Sequence, residues 1–497
     1  MKLQNSLKKI ESKLPSPDNW KVWISIAFIC KLILFIFCIS KDGINPVEGF
    51  WGHFGGDTES YLDPIENLIN KGEYQPDYRM PGYGVFYLPL YWLFSKAIAL
   101  NILIILQLFF SIISTYFLAK LALKIFKSLS VFYLTFLLYT INTHVDLYLD
   151  ILLTESLATS FLIIAFYLFL NFTETKNYLH LFISGLALTE VIFLRPIFSP
   201  LLFLFLLVLI VHLFRDKLRN KLMITLLFLS SFIIIDSTWI IRNYIVHKKV
   251  APLTTSVYYP SIENGIILPI ANFIQSFGGN SIWWETGAEI RWFGFGDNVE
   301  FGKGVDRNTK LPTDIYTSQF NLDSLISIRT KVISVLKDTT LTIEQNKTLT
   351  QEIRTSFNNF TQSIKSEKPY LYYIKSPLLI TKNFFIHSGT QNLFFKSSAE
   401  LNKFEYLVKV FYSLLYIITL FIGFVGVFLL IKKSFKINNI TILTGIIVYS
   451  ALIHPIFLRA AEPRYFVPTW PFLIICFSYA IVWIYNSIFI AKQKNVK

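Results

Sequence analysis

Charged residues are scarce in this sequence. Asp, Glu, Lys and Arg together make up 16% of its 497 residues, whereas hydrophobic residues make up 53%. Soluble globular domains carry about a quarter charged residues. The composition therefore excludes an ordinary soluble protein and indicates an all-α, polytopic membrane protein.

Cysteine and clustered histidine are also lacking. Cys30, Cys38 and Cys476 lie inside apolar runs, where they behave as small hydrophobic residues, and they form no CxxC pair. The seven histidines have no metal-ligand spacing, and no nucleotide-binding motif is present. We therefore expect no disulfide, no zinc site and no cofactor, although a divalent metal stays open.

Long apolar runs predict how the chain crosses the membrane. Windows of about 20 apolar residues give ten spans, and the uncertain segments allow a count of ten to thirteen. The ten cover 20–40, 100–121, 129–146, 151–171, 179–196, 197–214, 222–241, 404–431, 437–457 and 465–490. The first is too long for the apolar part of a signal peptide and has no cleavage site, so it is read as an uncleaved span.

Basic residues in alternate loops predict the orientation. They are Lys2, Lys8, Lys9, Lys13, Lys120, Lys124, Lys127, Arg215, Lys217, Arg219, Lys221, Lys432, Lys433, Lys436, Lys492, Lys494 and Lys497. The positive-inside rule makes this side cytoplasmic. Both termini are therefore expected in the cytoplasm, and the chain is expected to cross an inner or plasma membrane several times. The net charge of +14 is then a topology signal, and no nucleic-acid partner is expected.

The predicted spans divide the chain into three parts. Residues 1–241 form an N-terminal transmembrane module whose first extracytoplasmic loop is 41–99. Residues 242–403 form a mixed, partly helical extracytoplasmic cap, and residues 404–497 form C-terminal transmembrane helices. Two apolar patterns at i, i+3/i+4 spacing predict helices in the cap: Leu325, Ile328, Val332 and Leu336, then Leu349, Ile353, Phe357, Phe360 and Ile364. Residues 370–388 are amphipathic and are expected at the membrane interface.

The first loop contains the stretch "GGDTESYLDPIENLINKGEYQPDYRMPGYGVFYL", residues 55–88. Asp63 is predicted as a helix N-cap before Pro64, and Gly72 as the helix stop. Asp57 follows two glycines, so it either caps a short turn or approaches a substrate. Arg79 precedes the turn residues Pro81 and Gly82 in "DYRMPGYG", and it either snorkels to the interface or binds a ligand there. Residues 83–98 are expected to be juxtamembrane or re-entrant.

Other charges collect at the same predicted membrane face. They are Asp146, Asp150 and Glu155 in "DLYLDILLTESL", Arg195 in "FLRPIFSP", Asp236 and Arg242 in "DSTWIIRNY", and Arg459, Glu462 and Arg464 in "LRAAEPRYFVP". Each alone is explained equally well by a local ion pair. Together they outline a cavity with carboxylates for acid–base work and guanidiniums for phosphate. Lys31 and Glu190 lie deep in apolar runs and are expected to be structural, paired inside the bundle.

These residues resemble a known pattern. The first loop is similar to that of bacterial family-39-type glycosyltransferases of the GT-C superfamily, relatives of protein O-mannosyltransferases and of the lipid A aminoarabinose transferase. The matching positions are Asp57, Tyr61, Gly72, Arg79, Pro81, Gly82 and Tyr83, followed in order by "LLTES", "LRP", "WIIRNYIVHKKVAPLTT" and "EPRYFVPTWP". The likeness covers 20–260 and 440–490. Thr58 and Ser156 depart from the Glu and Pro that many relatives have there.

The resemblance implies a GT-C-type helix bundle and an inverting transfer of sugar on the extracytoplasmic face. The donor would be a polyprenyl-phosphate-linked sugar in the lipid, and the acceptor a hydroxyl of a glycan, lipid or protein. Asp57 would be the catalytic base, with Glu155 as a second catalytic candidate. Arg79, Arg242 and Arg464 would bind the donor phosphate. Further cavity candidates are Tyr61, Tyr83, Asp150, Arg195 and Glu462.

Two other functions remain open on the sequence. A flippase or transporter for a lipid-linked glycan would place charges along a path through the membrane. A non-catalytic relative would bind a polyprenyl phosphate without turnover. Release of polyprenyl phosphate only when acceptor is present separates the transferase from both.

Overall fold

Helices make up the regular structure of the described part of this chain. The computed structural model describes residues 14–214, 216–253, 265–283, 285, 287–295, 311–394, 396, 399–434 and 436–494. Within those ranges the β pairing is limited to isolated bridges, His53 with Ile151 and Thr317 with Phe320. The expected all-α class is confirmed.

Seventeen α-helices follow one another along the described chain. They are α1 Trp20–Ser40, α2 Thr58–Lys71, α3 Gly82–Leu93, α4 Lys96–Phe126, α5 Leu129–Thr140, α6 Thr143–Asp146, α7 Glu155–Thr175, α8 Tyr178–Leu194, α9 Pro200–His212, α10 Leu218–His247, α11 Ile267–Ser276, α12 Leu322–Lys337, α13 Ile343–Glu367, α14 Ser376–Phe385, α15 Lys403–Lys433, α16 Asn439–Leu452 and α17 Trp470–Lys494. Shorter 3₁₀ turns lie at Pro196–Phe198, Glu289–Phe293, Thr313–Ile315 and Pro463–Thr469, and π-helical turns at Leu371–Lys375 and Ile453–Phe457.

Seven apolar segments of the described chain are long enough to cross a membrane, which confirms a multi-pass membrane protein. They are Trp20–Ser40, Lys96–Phe126, Glu155–Thr175, Leu218–His247, Lys403–Lys433, Asn439–Phe457 and Pro463–Ile488. The other three predicted spans correspond to the shorter helices Leu129–Thr140, Tyr178–Leu194 and Pro196–His212. At 1.5 Å per residue the 12-residue α5 is only about 18 Å long, so the prediction of one continuous span over 129–146 is wrong.

The chain forms two compact units. The first comprises Met1–Thr255, Ser388–Tyr449 and Phe466–Lys497, and the second comprises Ser256–His387 and Ser450–Tyr465. In the first unit α4 is central, because α1, α3, α5, α7 and α17 all pack against it. The C-terminal helices α15 and α17 pack together closely: a Cβ on Gly426 would lie 2.1 Å from the Cys476 carbonyl oxygen. Small residues permit such close contact between membrane helices.

A largely irregular segment, residues 141–154, joins α5 to α7 inside the first unit and contains the one-turn helix α6; it is called the irregular segment below. Nearly all of its residues are buried, although it follows a helix predicted to lie in the membrane. Asp146 in this segment accepts hydrogen bonds from Lys31 at 2.7 Å, and both side chains are 0% exposed. Lys31 lies midway along α1, so the irregular segment reaches the depth of that span's middle. The irregular backbone on either side of α6 is tolerated at this depth because protein surrounds it.

The expected pairing of intramembrane charges holds for Lys31 but not for Glu190. Lys31 also lies 4.6 Å from the centre of the Tyr139 ring, which completes a buried cluster. The Oε1 atom of Glu190 has no hydrogen-bond partner in the described part of the chain.

The second unit has its own aromatic core. Phe273 of α11 lies against Phe357 and Phe360 of α13, with ring centres 5.3 and 5.9 Å away. The two helices predicted from apolar spacing are confirmed as α12 and α13, whose buried faces contain Leu325, Ile328, Val332, Ile353, Phe357, Phe360 and Ile364. Leu336 is 36% exposed and Leu349 is only partly buried, so the two patterns include two residues outside the core. The amphipathic stretch forms the π-helical turn Leu371–Lys375 and α14.

Candidate functional site

The first loop forms an ion pair that solvent can reach. Asp57 Oδ1 lies 2.9 Å from Arg79 Nη2, and the two side chains are 27% and 33% exposed. Arg79 Nε also donates to the Ser60 hydroxyl at 3.2 Å. A carboxylate and a guanidinium are therefore held together at an accessible position.

The prediction of Asp63 as N-cap with Pro64 as first helical residue is wrong. Helix α2 begins at Thr58, with Asp57 in the N-cap position but making no side-chain cap bond, and Pro64 lies inside the helix. The earlier start is supported from outside the helix, because the Thr58 hydroxyl donates to the Leu152 carbonyl at 2.9 Å. The predicted stop at Gly72 is confirmed, with φ 75°.

Two tyrosines lie beneath this ion pair. The Arg79 guanidinium stacks over the Tyr61 ring at 4.9 Å, and the Tyr61 and Tyr83 rings are 5.6 Å apart. Burial raises the pKa of Tyr61, while Arg79 lowers it and Glu155 raises it. Tyr83 is buried, and its hydroxyl donates to Gln107 Oε1 at 3.3 Å. Tyr61 therefore stays a neutral phenol beside the pair.

A second carboxylate–guanidinium pair lies in the interior. Glu155 Oε1 is 2.8 Å from Arg195 Nη1, and their side chains are 2% and 9% exposed. Both act electrostatically on Tyr61, as do Asp57 and Arg79. The structure thus brings six of the predicted site residues together in the first unit: Asp57, Tyr61, Arg79, Tyr83, Glu155 and Arg195.

The turn before α3 fixes Arg79 relative to Arg195. Gly82 lies directly on the end of α8: a Cβ there would come within 2.4 Å of the Phe193 carbonyl carbon and 2.6 Å of the Leu194 nitrogen. Arg195 is the next residue, at the C-cap of α8. Only glycine permits this approach of two backbones, so the turn chemistry predicted for Pro81 and Gly82 has a packing purpose.

Asp150 is fully enclosed. Its Oδ2 atom is 2.6 Å from His53 Nδ1 and 3.5 Å from Lys41 Nζ, and the carboxylate side chain is 0% exposed. The irregular segment around it receives further hydrogen bonds from Gln107 Nε2, which donates to the carbonyls of Leu149 and Ile151 at 2.9 and 3.1 Å. Asp150 therefore contacts the first loop rather than an open surface.

Arg242 is hydrogen-bonded to residues 74–77 of the first loop. Its Nη1 donates to Asp77 Oδ2 at 2.6 Å and its Nη2 to the Tyr74 carbonyl at 3.0 Å. His247 also contacts Asp77. Helix α10 continues beyond the predicted span 222–241 to His247, so Arg242 lies inside a helix rather than at its end. Asp77 is only two residues from Arg79, so their Cα atoms are at most about 7.6 Å apart.

Glu462 and Arg464 belong to the second unit. Arg464 Nε lies 3.7 Å from Glu462 Oε1. Arg459 of the same unit is used locally, because its Nη2 donates to the Tyr372 carbonyl at 2.9 Å and its guanidinium stacks on the Tyr372 ring.

Sequence reasoning missed four residues that hold this site: His53, Asp77, Gln107 and His247. Asp77 carried a usable signal, since it lies two residues before Arg79 in the polar loop. His53 carried one as well, four residues before Asp57 in "WGHFGGD". His247 lies inside the segment "WIIRNYIVHKKVAPLTT", and Gln107 is the polar residue of the apolar run "LIILQLFF", but neither position indicates a contact with the first loop or the irregular segment.

The chemistry available here is that of carboxylates, guanidiniums and phenols. Within the described residues, no group of three or more His, Cys, Asp or Glu side chains is arranged to hold a metal ion. Comparison of the chain with models of known protein families, and with curated proteins, finds no match.

Proposed function

We propose that this protein is an inverting glycosyltransferase that moves a sugar from a polyprenyl-phosphate-linked donor to an acceptor hydroxyl at the extracytoplasmic face of the membrane. The observation that carries the proposal is the Asp57–Arg79 pair. A carboxylate that can accept a proton and a guanidinium that can bind phosphate lie 2.9 Å apart in this pair, and both groups are partly exposed. The resemblance of the first loop to GT-C glycosyltransferases supports the same reaction.

In the proposed reaction, Asp57 is the general base. The acceptor oxygen forms a bond to the anomeric carbon while the bond from that carbon to the phosphate oxygen breaks. The lipid phosphate leaves with the electron pair, and Asp57 takes the hydroxyl proton. A single displacement of this kind inverts the anomeric centre and needs one carboxylate on the acceptor side.

Arg79 is the first ligand for the donor phosphate. A phosphate that binds this guanidinium takes over N–H donors now directed at Asp57, since guanidinium binds phosphate through two parallel hydrogen bonds. Donor binding would then leave the Asp57 carboxylate available for the acceptor proton. The fixed positive charge also stabilises the leaving phosphate as its charge develops.

Glu155 and Arg195 would support this site from behind. Both are nearly inaccessible, so their proposed part is to hold Tyr61 and the Arg79 stack in position. Arg242 is a second phosphate ligand in the proposal, with 22% of its side chain exposed. Arg464 and Glu462 lie in the second unit, and the roles that the resemblance implies for them stay predictions.

A transport function receives less support. A lipid-linked glycan carrier needs polar groups along a path through the membrane. The Lys31 and Asp146 side chains, at mid-span depth, are both 0% exposed and are bonded to each other. This pair therefore does not line an open path.

The direct test is an assay of the purified full chain in lipid nanodiscs with a radiolabelled polyprenyl-phosphate sugar. The expected result is release of polyprenyl phosphate that depends on added acceptor, with the anomeric configuration inverted in the product. Donor binding without acceptor-dependent release would overturn the proposal and favour a non-catalytic lipid-phosphate binder.

A further inference from the structure

The first loop is docked on the irregular segment through an unusually close backbone approach. Gly52 lies so near Asp150 that a Cβ would come within 2.4 Å of its carbonyl oxygen, and a Cβ on Gly55 would come within 2.7 Å of Leu153. The backbones are also bonded, since His53 N donates to the Asp150 carbonyl at 2.9 Å and Leu152 N to the His53 carbonyl at 3.1 Å. The contact ends at Gly55 and Leu153, two residues before Asp57 and two before Glu155.

His53 is the only ionisable side chain that the loop residues 50–56 contribute to this contact. Its Nδ1 atom lies 2.6 Å from Asp150 Oδ2, and its Nε2 atom lies 2.9 Å from the Lys41 carbonyl oxygen. His53 is 5% exposed, and Gly43 packs on its ring so closely that a Cβ there would meet the Cδ2 atom at 2.0 Å.

Both of these partners are hydrogen-bond acceptors. A neutral imidazole has one N–H donor and one acceptor nitrogen, so it satisfies only one of the two contacts. At the other contact, the unprotonated ring nitrogen would direct its lone pair at an oxygen less than 3 Å away. The two short contacts together require one more proton than a neutral imidazole and a free carboxylate hold.

We infer that His53 and Asp150 share this extra proton and that it fastens the first loop, with Asp57, to the segment that leads into Glu155. His53 and Asp150 are therefore positioning residues. The inference rests on the proposed function only where it concerns catalysis. Loop docking itself depends on the contacts alone.

Other ionisable groups surround the pair. Lys41 Nζ is 3.5 Å from Asp150 Oδ2 and donates to the Asn392 carbonyl at 3.0 Å. Cys38 interacts electrostatically with Asp150, Lys41 and Asp146, and Asp146 is bonded to Lys31. Lys41 therefore holds the Asp150 side of the contact.

The sign of the pH effect follows from the proton count. The docked loop binds one proton more than a released loop with neutral His53, so docking weakens as pH rises. Loss of the proton turns a ring lone pair towards an oxygen at one of the two short contacts, and opening of the loop relieves that repulsion. The proposed transfer should then lose kcat on the alkaline side, because Asp57 is no longer held in place.

The first experiment reads the proton directly. The full chain with ¹⁵N-labelled histidine is placed in lipid bilayers, and the His53 resonances are assigned by their loss in His53→Gln. Two protonated ring nitrogens in the docked state, with one lost as pH rises, are expected. A single neutral tautomer through the whole pH series would overturn the inference.

The second experiment removes the requirement for the proton. In Asp150→Asn the amide can donate to Nδ1 while a neutral His53 donates from Nε2 to the Lys41 carbonyl, so the contact no longer needs two donors on the ring. Hydrogen exchange of residues 44–57, corrected for intrinsic rates, should rise roughly tenfold across the alkaline range in the unmodified protein. It should stay flat in Asp150→Asn.

The matched control is His180→Gln, since His180 lies near the N-terminal end of α8, the helix end remote from Arg195. This variant should keep the pH dependence of the unmodified chain. Identical pH profiles for Asp150→Asn and the unmodified chain would overturn the inference. Because exchange is measured without donor or acceptor, its outcome is independent of whether any sugar transfer is detected.

Discussion

Two carboxylate–guanidinium pairs act on the same tyrosine, yet they differ in access to solvent. Asp57–Arg79 is about one third exposed, at 27% and 33%, whereas Glu155–Arg195 is 2% and 9% exposed. Their separations are almost equal, 2.9 and 2.8 Å. The same chemistry therefore suits different tasks: an exposed pair can exchange partners with a substrate, while a buried pair is costly to break and fixes its surroundings.

The largest expected effect belongs to the exposed pair and falls on activity. Asp57→Asn should lower acceptor-dependent transfer by roughly 10²–10⁴-fold, the usual contribution of a general base, while donor binding persists. Single-turnover transfer in nanodiscs measures this. The matched control is Asp63→Asn on the same helix, which should change transfer little. Near-normal turnover in Asp57→Asn would remove the base assignment.

The next effect belongs to the buried pair and falls on stability. Arg195→Met removes the guanidinium 2.8 Å from a carboxylate that is 2% exposed, and breaking such a pair costs about 3–5 kcal/mol. Arg79→Met should change the free energy of unfolding by about 1 kcal/mol or less, because the exposed pair is solvated. Denaturant unfolding in micelles compares the two variants.

A double variant tests whether the stability loss in Arg195→Met comes from the uncompensated Glu155 charge. Replacing both partners, in Glu155→Gln with Arg195→Met, should recover part of the stability lost in the single variant, because no buried charge is left uncompensated. Equal destabilisation by Arg195→Met and Arg79→Met would show that exposure does not separate the two pairs.

A third effect tests the turn that joins the two pairs. Gly82→Ala places a Cβ within 2.4 Å of the Phe193 backbone, so the turn must move, at a cost of about 1–3 kcal/mol. Gly56→Ala is the control, since a Cβ there meets nothing within 4 Å. Thermal unfolding of both variants should show a loss only for Gly82→Ala. No loss there would mean that the turn can shift freely.

The smallest effect concerns Arg242, which extends the comparison to a third pair. Arg242→Ala should weaken donor binding by about tenfold, the equivalent of one charge-assisted hydrogen bond, and Arg242→Lys should keep part of it. Asp77→Asn separates the two explanations. If Arg242 binds phosphate, donor affinity survives in Asp77→Asn. If Arg242 only holds the loop, Asp77→Asn weakens binding as much as Arg242→Ala does.

Much of the fold follows from local sequence patterns. The seven long apolar helices, the stop at Gly72 and helices α12 and α13 were all predicted, because apolar runs, i, i+3/i+4 spacing and a left-handed glycine act within a few residues. The failures lie where the tertiary structure overrides local signals. Helix α2 was predicted to start at Asp63-Pro64 but starts at Thr58, whose hydroxyl is bonded to Leu152. The predicted span over 129–146 ends early, and its last residues belong to the irregular segment, which is bonded to Lys31 and Gln107.

The candidate site divides in the same way. The sequence by itself determined that Asp57, Tyr61, Arg79 and Tyr83 share one loop region and that Glu155 and Arg195 lie at helix ends. Only the tertiary structure decided the partners: Lys31 with Asp146, His53 with Asp150, and Arg242 with Asp77, which are 115, 97 and 165 residues apart. Periodicity specifies which face of a helix is buried but not what it meets. A buried charge acquires its partner only when packing excludes water around both.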